Sequence, residues 1–185
     1  MIHLVGIGGG GCNVLEYALK QNFKASYTFI SSPIRKHLPS EVKFIEYVSP
    51  ENYFFDSSWI DMNIEIPESI QNIIKSRRKT IYIAGLRGYT GSLLVKSIVK
   101  ELLSVNMDNA EFHHFILSLP FRNEGSMSTD NALKVAKQIS KYPNMNLYKL
   151  EDIRSSCVDL TIADAFLKAD ELAFSKIKEI VNETQ

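Results

Sequence analysis

The feature that most constrains this chain is a run of four glycines, Gly8–Gly11, between a strand-like and a helix-like segment. The apolar run of 4–7 is typical of a buried strand, and the apolar spacing over 14–19 predicts a helix. Successive glycines let the backbone turn tightly and approach a ligand without an intervening β-carbon. The amides of such a turn, with the positive end of the helix dipole, form a favourable site for an anion, and phosphate is the usual one.

The rest of the chain alternates strands with helices. Strands are predicted at 27–30, 42–48, 80–84, 114–119 and 146–150; helices are predicted after the glycines to about 22, from 67 to the basic run 75–79, over 94–103, from 128–130 to about 142, and over 160–182. Residues 49–65 carry no clear pattern. This alternation predicts an α/β fold, a Rossmann-like, doubly wound, mostly parallel sheet with helices on both faces. Without a repeat or linker, we expect a single domain over 1–185.

Composition and charge exclude several functions. Lys plus Arg and Asp plus Glu number 21 each, so the net charge is zero and nothing favours nucleic acid or an anionic membrane. No apolar run approaches the ~18 residues of a membrane span and no basic leader is present, so a cytoplasmic protein is expected. Cys12 and Cys157 make neither a disulfide framework nor a zinc spacing. His113 and His114 point to opposite faces of a strand, so no metal site is predicted. No Ser/His/Asp or Cys/His arrangement is evident from the spacing, so no catalytic residues are predicted.

Three nucleotide folds compete for the opening loop. Gly6, Gly8 and Gly11 satisfy the dinucleotide pattern G-x-G-x-x-G, but that pattern needs an acidic residue after the second strand, where 31–33 reads Ser-Ser-Pro. An NAD-binding domain is therefore the less favoured alternative. An ATPase-type P-loop needs lysine and serine or threonine where Cys12–Asn13 stands.

A second glycine-containing loop favours the third fold. Residues 85–92 follow the strand at 80–84 and precede a clear amphipathic helix. In a parallel sheet such loops lie at the carboxyl edge, so two neighbouring ones can hold one phosphate chain from both sides. Backbone donors and hydroxyls then replace the P-loop lysine.

Four segments, in order, resemble the nucleotide-binding half of the tubulin/FtsZ family. They are 5–13 (VGIGGGGCN, like the first phosphate loop), 83–92 (IAGLRGYTGS, like the signature loop), 119–125 (LPFRNEG, like K-P-F-x-F-E-G) and 164–171 (DAFLKADE, like D-A-F-x-x-A-D-x). The resemblance implies that family's fold and GTP or GDP as ligand. It also implies that Glu124 contacts the ribose and Asp170 the base.

The resemblance and the loop argument together predict the nucleotide-binding residues. The phosphates are expected on the amides of 8–12 and 88–92, with two hydroxyls assisting and magnesium held through phosphates and waters. Each residue also has a purely structural alternative, such as small-residue packing for Cys12 or capping for Asn13. The predicted residues are Gly8, Gly9, Gly10, Gly11, Cys12, Asn13, Arg87, Gly88, Tyr89, Thr90, Gly91, Ser92, Glu124 and Asp170, the two assisting hydroxyls being those of Thr90 and Ser92.

The chain also departs from the family. Arg87, Tyr89 and Leu93 stand where its signature loop has glycine, and Arg87 could instead contact a phosphate. The family continues past residue 185 with an acidic catalytic loop and a second domain. The expectation is therefore nucleotide binding with little or no hydrolysis, and a protein partner or self-association that is not of the head-to-tail filament type. The alternative is a degenerate structural or interaction module that has lost the nucleotide.

Overall fold

The computed structural model describes residues 1–32, 38–47, 57–62, 64–104, 107–156 and 161–183. Several sequence predictions concern residues outside these ranges. They are the last residue of the third predicted strand, most of the unassigned stretch 49–65 with its two phenylalanines, and Cys157.

Six parallel strands form the sheet, in the order β3-β2-β1-β4-β5-β6. This is the doubly wound order of dinucleotide-binding folds, so the predicted fold class is confirmed. The strands are β1 (His3–Ile7), β2 (Ser26–Ser31), β3 (Lys43–Glu46), β4 (Thr80–Gly85), β5 (His113–Leu119) and β6 (Met145–Lys149).

The described residues also form six α-helices, two of which follow the last strand, and three short 3-10 segments. The α-helices are α1 (Gly8–Lys20), α2 (Glu68–Ile74), α3 (Tyr89–Ser104), α4 (Ser126–Ile139), α5 (Leu150–Ser156) and α6 (Ile162–Asn182). The 3-10 segments are Ser58–Asp61, Met107–Phe112 and Arg122–Glu124.

The sheet separates two apolar cores. Along β1, Leu4 faces one core and Val5 the other, as the alternation of strand side chains requires. Helices α1 and α6 cover the Leu4 side, whereas α2, α3 and α4 cover the Val5 side. Helix α1 follows β1 and helix α3 follows β4. Two neighbouring strands are therefore followed by helices on opposite faces of the sheet.

Four details differ from the sequence prediction. Helix α3 begins at Tyr89, five residues before the predicted start. Leu150 begins α5, a short polar helix that the sequence prediction missed, instead of ending β6. Helix α4 begins at Ser126, two residues early, directly after Gly125 with φ 105°. The apolar stripe of α6 is only partly core, since Ile162 and Leu172 are 65% and 46% exposed.

None of the helices in the described part of the chain has the length and apolar character needed to cross a membrane.

Candidate functional site

The candidate site lies where β1 and β4 pair side by side at the centre of the sheet. Ile7 is aligned with Ala84, so both strands end at the same level. Helix α1 starts directly after β1, and α3 starts after a short loop that follows β4. The starts of two helices on opposite faces therefore meet at this switch point, which is where ligands bind in open α/β sheets.

The two helix starts touch. A β-carbon at Gly8 would lie 3.4 Å from the Gly91 amide nitrogen, and one at Gly10 would lie 3.6 Å from the Gly85 nitrogen. Gly8 has φ 70°, a left-handed conformation that lets the chain turn from strand to helix without a linking residue. The two glycine-containing segments therefore lie side by side as predicted, but residues 8–11 and 89–92 are first helical turns and not loops.

Two buried glycines allow these helices to contact the strand backbones closely. A β-carbon at Gly11 would lie 2.0 Å from the Ile83 carbonyl oxygen, and one at Gly91 would lie 2.3 Å from that of Gly85. No other residue type fits at such distances. Both helix starts are thereby fixed at the edge of the sheet.

The outer side of this junction is open. Gly9 and Gly10 are exposed, and a β-carbon at Gly9 or Gly88 would meet nothing within 4 Å. The N-terminal ends of α1 and α3 lie beside this space, and the first-turn amides of any helix give that end a partial positive charge. Ile7, at the N-cap position of α1, has no side-chain oxygen to cap them. The arrangement fits an anionic group shared by two helix starts.

The other predicted residues of the two loops divide into buried and exposed ones. Cys12 is fully buried, with its Sγ near the carbonyls of Gly6 (3.5 Å) and Ile30 (3.8 Å), which is the packing alternative for this residue. Ser92 is buried, its hydroxyl donates to the Leu86 carbonyl at 2.7 Å and its amide to Gly88. Its side chain thus braces the loop and does not face the open side. Asn13 is exposed and Thr90 is half-buried.

Arg87 and Glu124 pair across the mouth of the site. Arg87 Nη1 lies 2.8 Å from Glu124 Oε2, and their side chains are 61% and 12% exposed. Glu124 Oε1 accepts a hydrogen bond from the Phe121 amide at 2.8 Å. The structure therefore places the predicted ribose residue beside the predicted phosphate residue.

Asp170 lies further along the same edge. It is half-buried in α6, close enough to Tyr148 of β6 for its charge to contribute, after burial, to raising the pKa of Tyr148 to about 12. Tyr148 is aligned with Ser118 of β5, whose Oγ would lie 3.4 Å from a β-carbon at Gly85. Ser118 and Tyr148 thus link the glycine junction to Asp170. No pattern in the sequence indicated these two residues.

Tyr89, where the resembled family has glycine, points into the core. Its ring is 3% exposed and packs on the ring of Trp59 with centroids 5.5 Å apart. Lys96 of α3 holds the same segment, because its ammonium donates to the carbonyls of Ile60 and Met62. Trp59 itself lies in the apolar core on the Val5 side of the sheet.

A separate cavity of about 590 Å³ lies at the opposite, amino edge of the sheet, lined by the cations Lys24, Arg77, Arg78 and Lys79 and the apolar residues Ile2, Phe23, Met1 and Val181. Two of those cations have structural contacts. Arg78 donates to the carbonyls of Met1 and Ile2, and Lys79 to that of Ile180. These contacts tie α6 and the start of β1 to the strand β4, so they hold the fold together at this edge.

A protein-built metal site is not found among the described residues, which contain no cluster of three or more potential ligands.

These features define a Rossmann-like, doubly wound domain with two helix starts at its switch point. Solved structures show that the fold within this class is the FtsZ/tubulin one, which confirms the resemblance of the four segments at the level of fold. The chain is similar to the solved structures of an FtsZ dimer from M. jannaschii (TM-score 0.73, 17% identity, 96% of this chain and 53% of that chain) and of CetZ from Methanosaeta thermophila (TM-score 0.71, 16% identity, 98% of this chain and 54% of that chain).

A curated protein is also similar in sequence. The mitochondrial division protein fszB of Dictyostelium discoideum is 24% identical over an alignment of 203 positions, gaps included. The alignment covers 98% of this chain and 51% of that protein. The chain thus spans about half the length of the proteins that it matches. No family model matches it.

Proposed function

We propose that this protein binds a guanine nucleotide, GTP or GDP, at the carboxyl edge of the sheet. The observation that carries the proposal is the meeting of the α1 and α3 starts at Gly8 and Gly91. Two helix starts aimed at one open space suit a chain of two or three phosphates better than a single anion. The FtsZ/tubulin fold supports a nucleotide of the guanine class.

The remaining contacts follow the edge away from this junction. The phosphates would lie over the backbone around Gly9 and Gly88, where an added β-carbon would meet nothing within 4 Å. Glu124 would accept from a ribose hydroxyl, and Asp170 would accept from the base. Magnesium would be held through phosphates and water, because the described residues provide no cluster of ligands.

We further propose that hydrolysis is slow or absent. The carboxylates of the site are poorly placed to activate water at a terminal phosphate. Glu124 is tied to Phe121 and Arg87, and Asp170 neighbours Tyr148 on β6, two strands away from β4. The role of the protein would then be set by its nucleotide state and by a protein partner or a self-association other than head-to-tail filament contact.

Thermal unfolding with GTP, GDP, ATP and NAD tests the proposal. A ligand at ~100 times its dissociation constant should stabilise the fold by ~2.7 kcal/mol, a clear shift in melting temperature. We expect the shift with GTP or GDP. No shift with any of the four contradicts the proposal, and a shift with NAD alone would favour a dinucleotide-binding domain.

The alternative is an interaction module that no longer binds nucleotide. The observation in its favour is Ser92, whose buried hydroxyl donates to the Leu86 carbonyl instead of facing the site. Denaturing the purified protein and separating the supernatant by anion exchange distinguishes the two, because a nucleotide-binding protein is expected to release a guanine nucleotide.

A further inference from the structure

Arg87 and Glu124 extend from two adjacent loops at the edge of the sheet. Strands β4 and β5 pair up to Gly85 and Ser118, and the Leu86 amide continues the ladder by donating to the Ser118 carbonyl at 2.9 Å. The loops that follow therefore leave the sheet side by side. Their side-chain contact is the ion pair of 2.8 Å between Arg87 and Glu124.

One carboxylate oxygen of Glu124 is held by the main chain, and the other contacts only Arg87 among the described residues. Its Oε1 accepts from the Phe121 amide at 2.8 Å, and its own amide donates to the Phe121 carbonyl at 3.1 Å. Phe121 is itself only 3% exposed, so this reciprocal pair is anchored in the core. The other oxygen, Oε2, is buried and accepts no aligned hydrogen bond from the described residues; its neighbour is the guanidinium. That oxygen retains the capacity to accept a hydroxyl.

Arg87 is the movable member of the pair. Its side chain is 61% exposed, on a flexible stem in the loop that leads into the first turn of α3. A guanidinium there can reach either a carboxylate or a phosphate. Because Glu124 is only 12% exposed, water screens the pair less than it would on an open surface.

We propose that Arg87 is a specificity-determining residue that exchanges Glu124 for a ligand phosphate, an inference that rests on the proposed function. A bound nucleotide replaces the ion pair for both residues, because a phosphate binds the Arg87 guanidinium while a ribose hydroxyl donates to Glu124 Oε2. A phosphate chain without ribose would bind the Arg87 guanidinium but leave the Glu124 carboxylate buried and unpaired. Burying an unpaired charge costs free energy, so such a ligand binds more weakly. The pair thus makes the site select nucleotides over inorganic polyphosphates.

The test measures pyrophosphate and GDP affinity by calorimetry for the wild type, R87A, E124Q and the double variant. E124Q frees the guanidinium, so pyrophosphate should bind about threefold more tightly. In the R87A background the same change should have no more than a small effect. GDP should gain less than pyrophosphate, because E124Q also weakens acceptance of the ribose hydroxyl.

Two controls accompany these variants. E151Q removes a carboxylate charge at the same edge, one that accepts from the Arg122 amide and not from Arg87, and should leave both affinities unchanged. R87K keeps a positive charge and should retain the response to E124Q. Circular dichroism and melting temperature check that each variant is folded.

Several results would overturn the inference. If E124Q tightens pyrophosphate equally with and without Arg87, the effect is only the loss of a negative charge. If E124Q has no effect while GDP binds, the exchange is wrong and the proposed function stands. If neither GDP nor pyrophosphate binds any of the proteins, the proposed function fails and the exchange fails with it.

Discussion

At the scale of single residues, neighbouring glycines of the opening run have very different surroundings. Gly10 is exposed, and a β-carbon there would make an ordinary 3.6 Å contact with the Gly85 nitrogen. Gly11 is buried, and a β-carbon there would overlap the Ile83 carbonyl at 2.0 Å. A ligand role for the loop and a structural role can therefore be separated by adjacent substitutions.

Gly10→Asp is expected to abolish nucleotide binding and to leave the fold intact. A carboxylate in the first helical turn is favourable for the helix, but it would repel phosphates at the same place. The expected loss of affinity is about 100-fold or more. Gly10→Ala, which adds no charge, should bind nearly as the wild type does. Unchanged affinity in Gly10→Asp would show that the opening loop is not the phosphate site.

Gly11→Ala is expected to destabilise the protein by about 3 kcal/mol or more, because the helix must move away from the strand backbone. Gly9→Ala is the matched control. Its β-carbon meets nothing within 4 Å, so we expect no loss and a gain of up to about 1 kcal/mol. Urea denaturation measures both, and equal stability of the two variants would refute the close contact at Gly11.

At the scale of elements, α3 fixes the segment that follows β3 to the candidate site. Trp59 packs on Tyr89 at the start of α3, and Lys96, two turns later, donates to the carbonyls of Ile60 and Met62. Burial lowers the pKa of Lys96, and the nearby charge of Asp61 opposes that shift. A loop is thereby held in place by main-chain contacts with a helix that begins at the site.

Lys96→Met is expected to release this segment while it keeps most of the apolar stem. We expect a loss of about 1–2 kcal/mol in unfolding free energy, because hydrogen bonds of charged groups are worth more than neutral ones but partial exposure weakens these. We also expect altered fluorescence of Trp59, the only tryptophan of the chain. Lys134→Met, an exposed lysine of α4, should change neither. A wild-type fluorescence spectrum for Lys96→Met would contradict the inference that Lys96 holds this segment in place.

At the scale of the whole molecule, periodic patterns predicted the fold but not the pairing of side chains at the site. The strands and long helices could be predicted because apolar spacing reports burial directly. Helix α5 was missed because its seven residues are short of two full turns and mostly polar. The Arg87–Glu124 pair and the Trp59–Tyr89 packing join residues far apart in sequence, so no local pattern indicates them.

The amino edge of the sheet should make stability depend on pH. His3 and His113 flank Thr80 in the sheet register. Burial, helped by the nearby charges of Arg78 and Lys43, lowers the pKa of His3 to about 4. Burial also lowers the pKa of His113 to about 4; its Nδ1 lies 3.2 Å from the Tyr82 hydroxyl, and its buried Nε2 has no partner among the described residues.

Both histidines are therefore neutral in the folded protein at a pH where the unfolded chain binds protons. Their contribution to stability is complete above pH ~6.5 and is lost as the pH falls towards 4. We expect the urea midpoint to fall between pH 7 and 5.5, above the range in which most carboxylates titrate. His113→Phe, which cannot take up a proton, should flatten that decline even if losing the Tyr82 contact lowers stability at every pH. An equally steep decline in His113→Phe would show that another group is responsible.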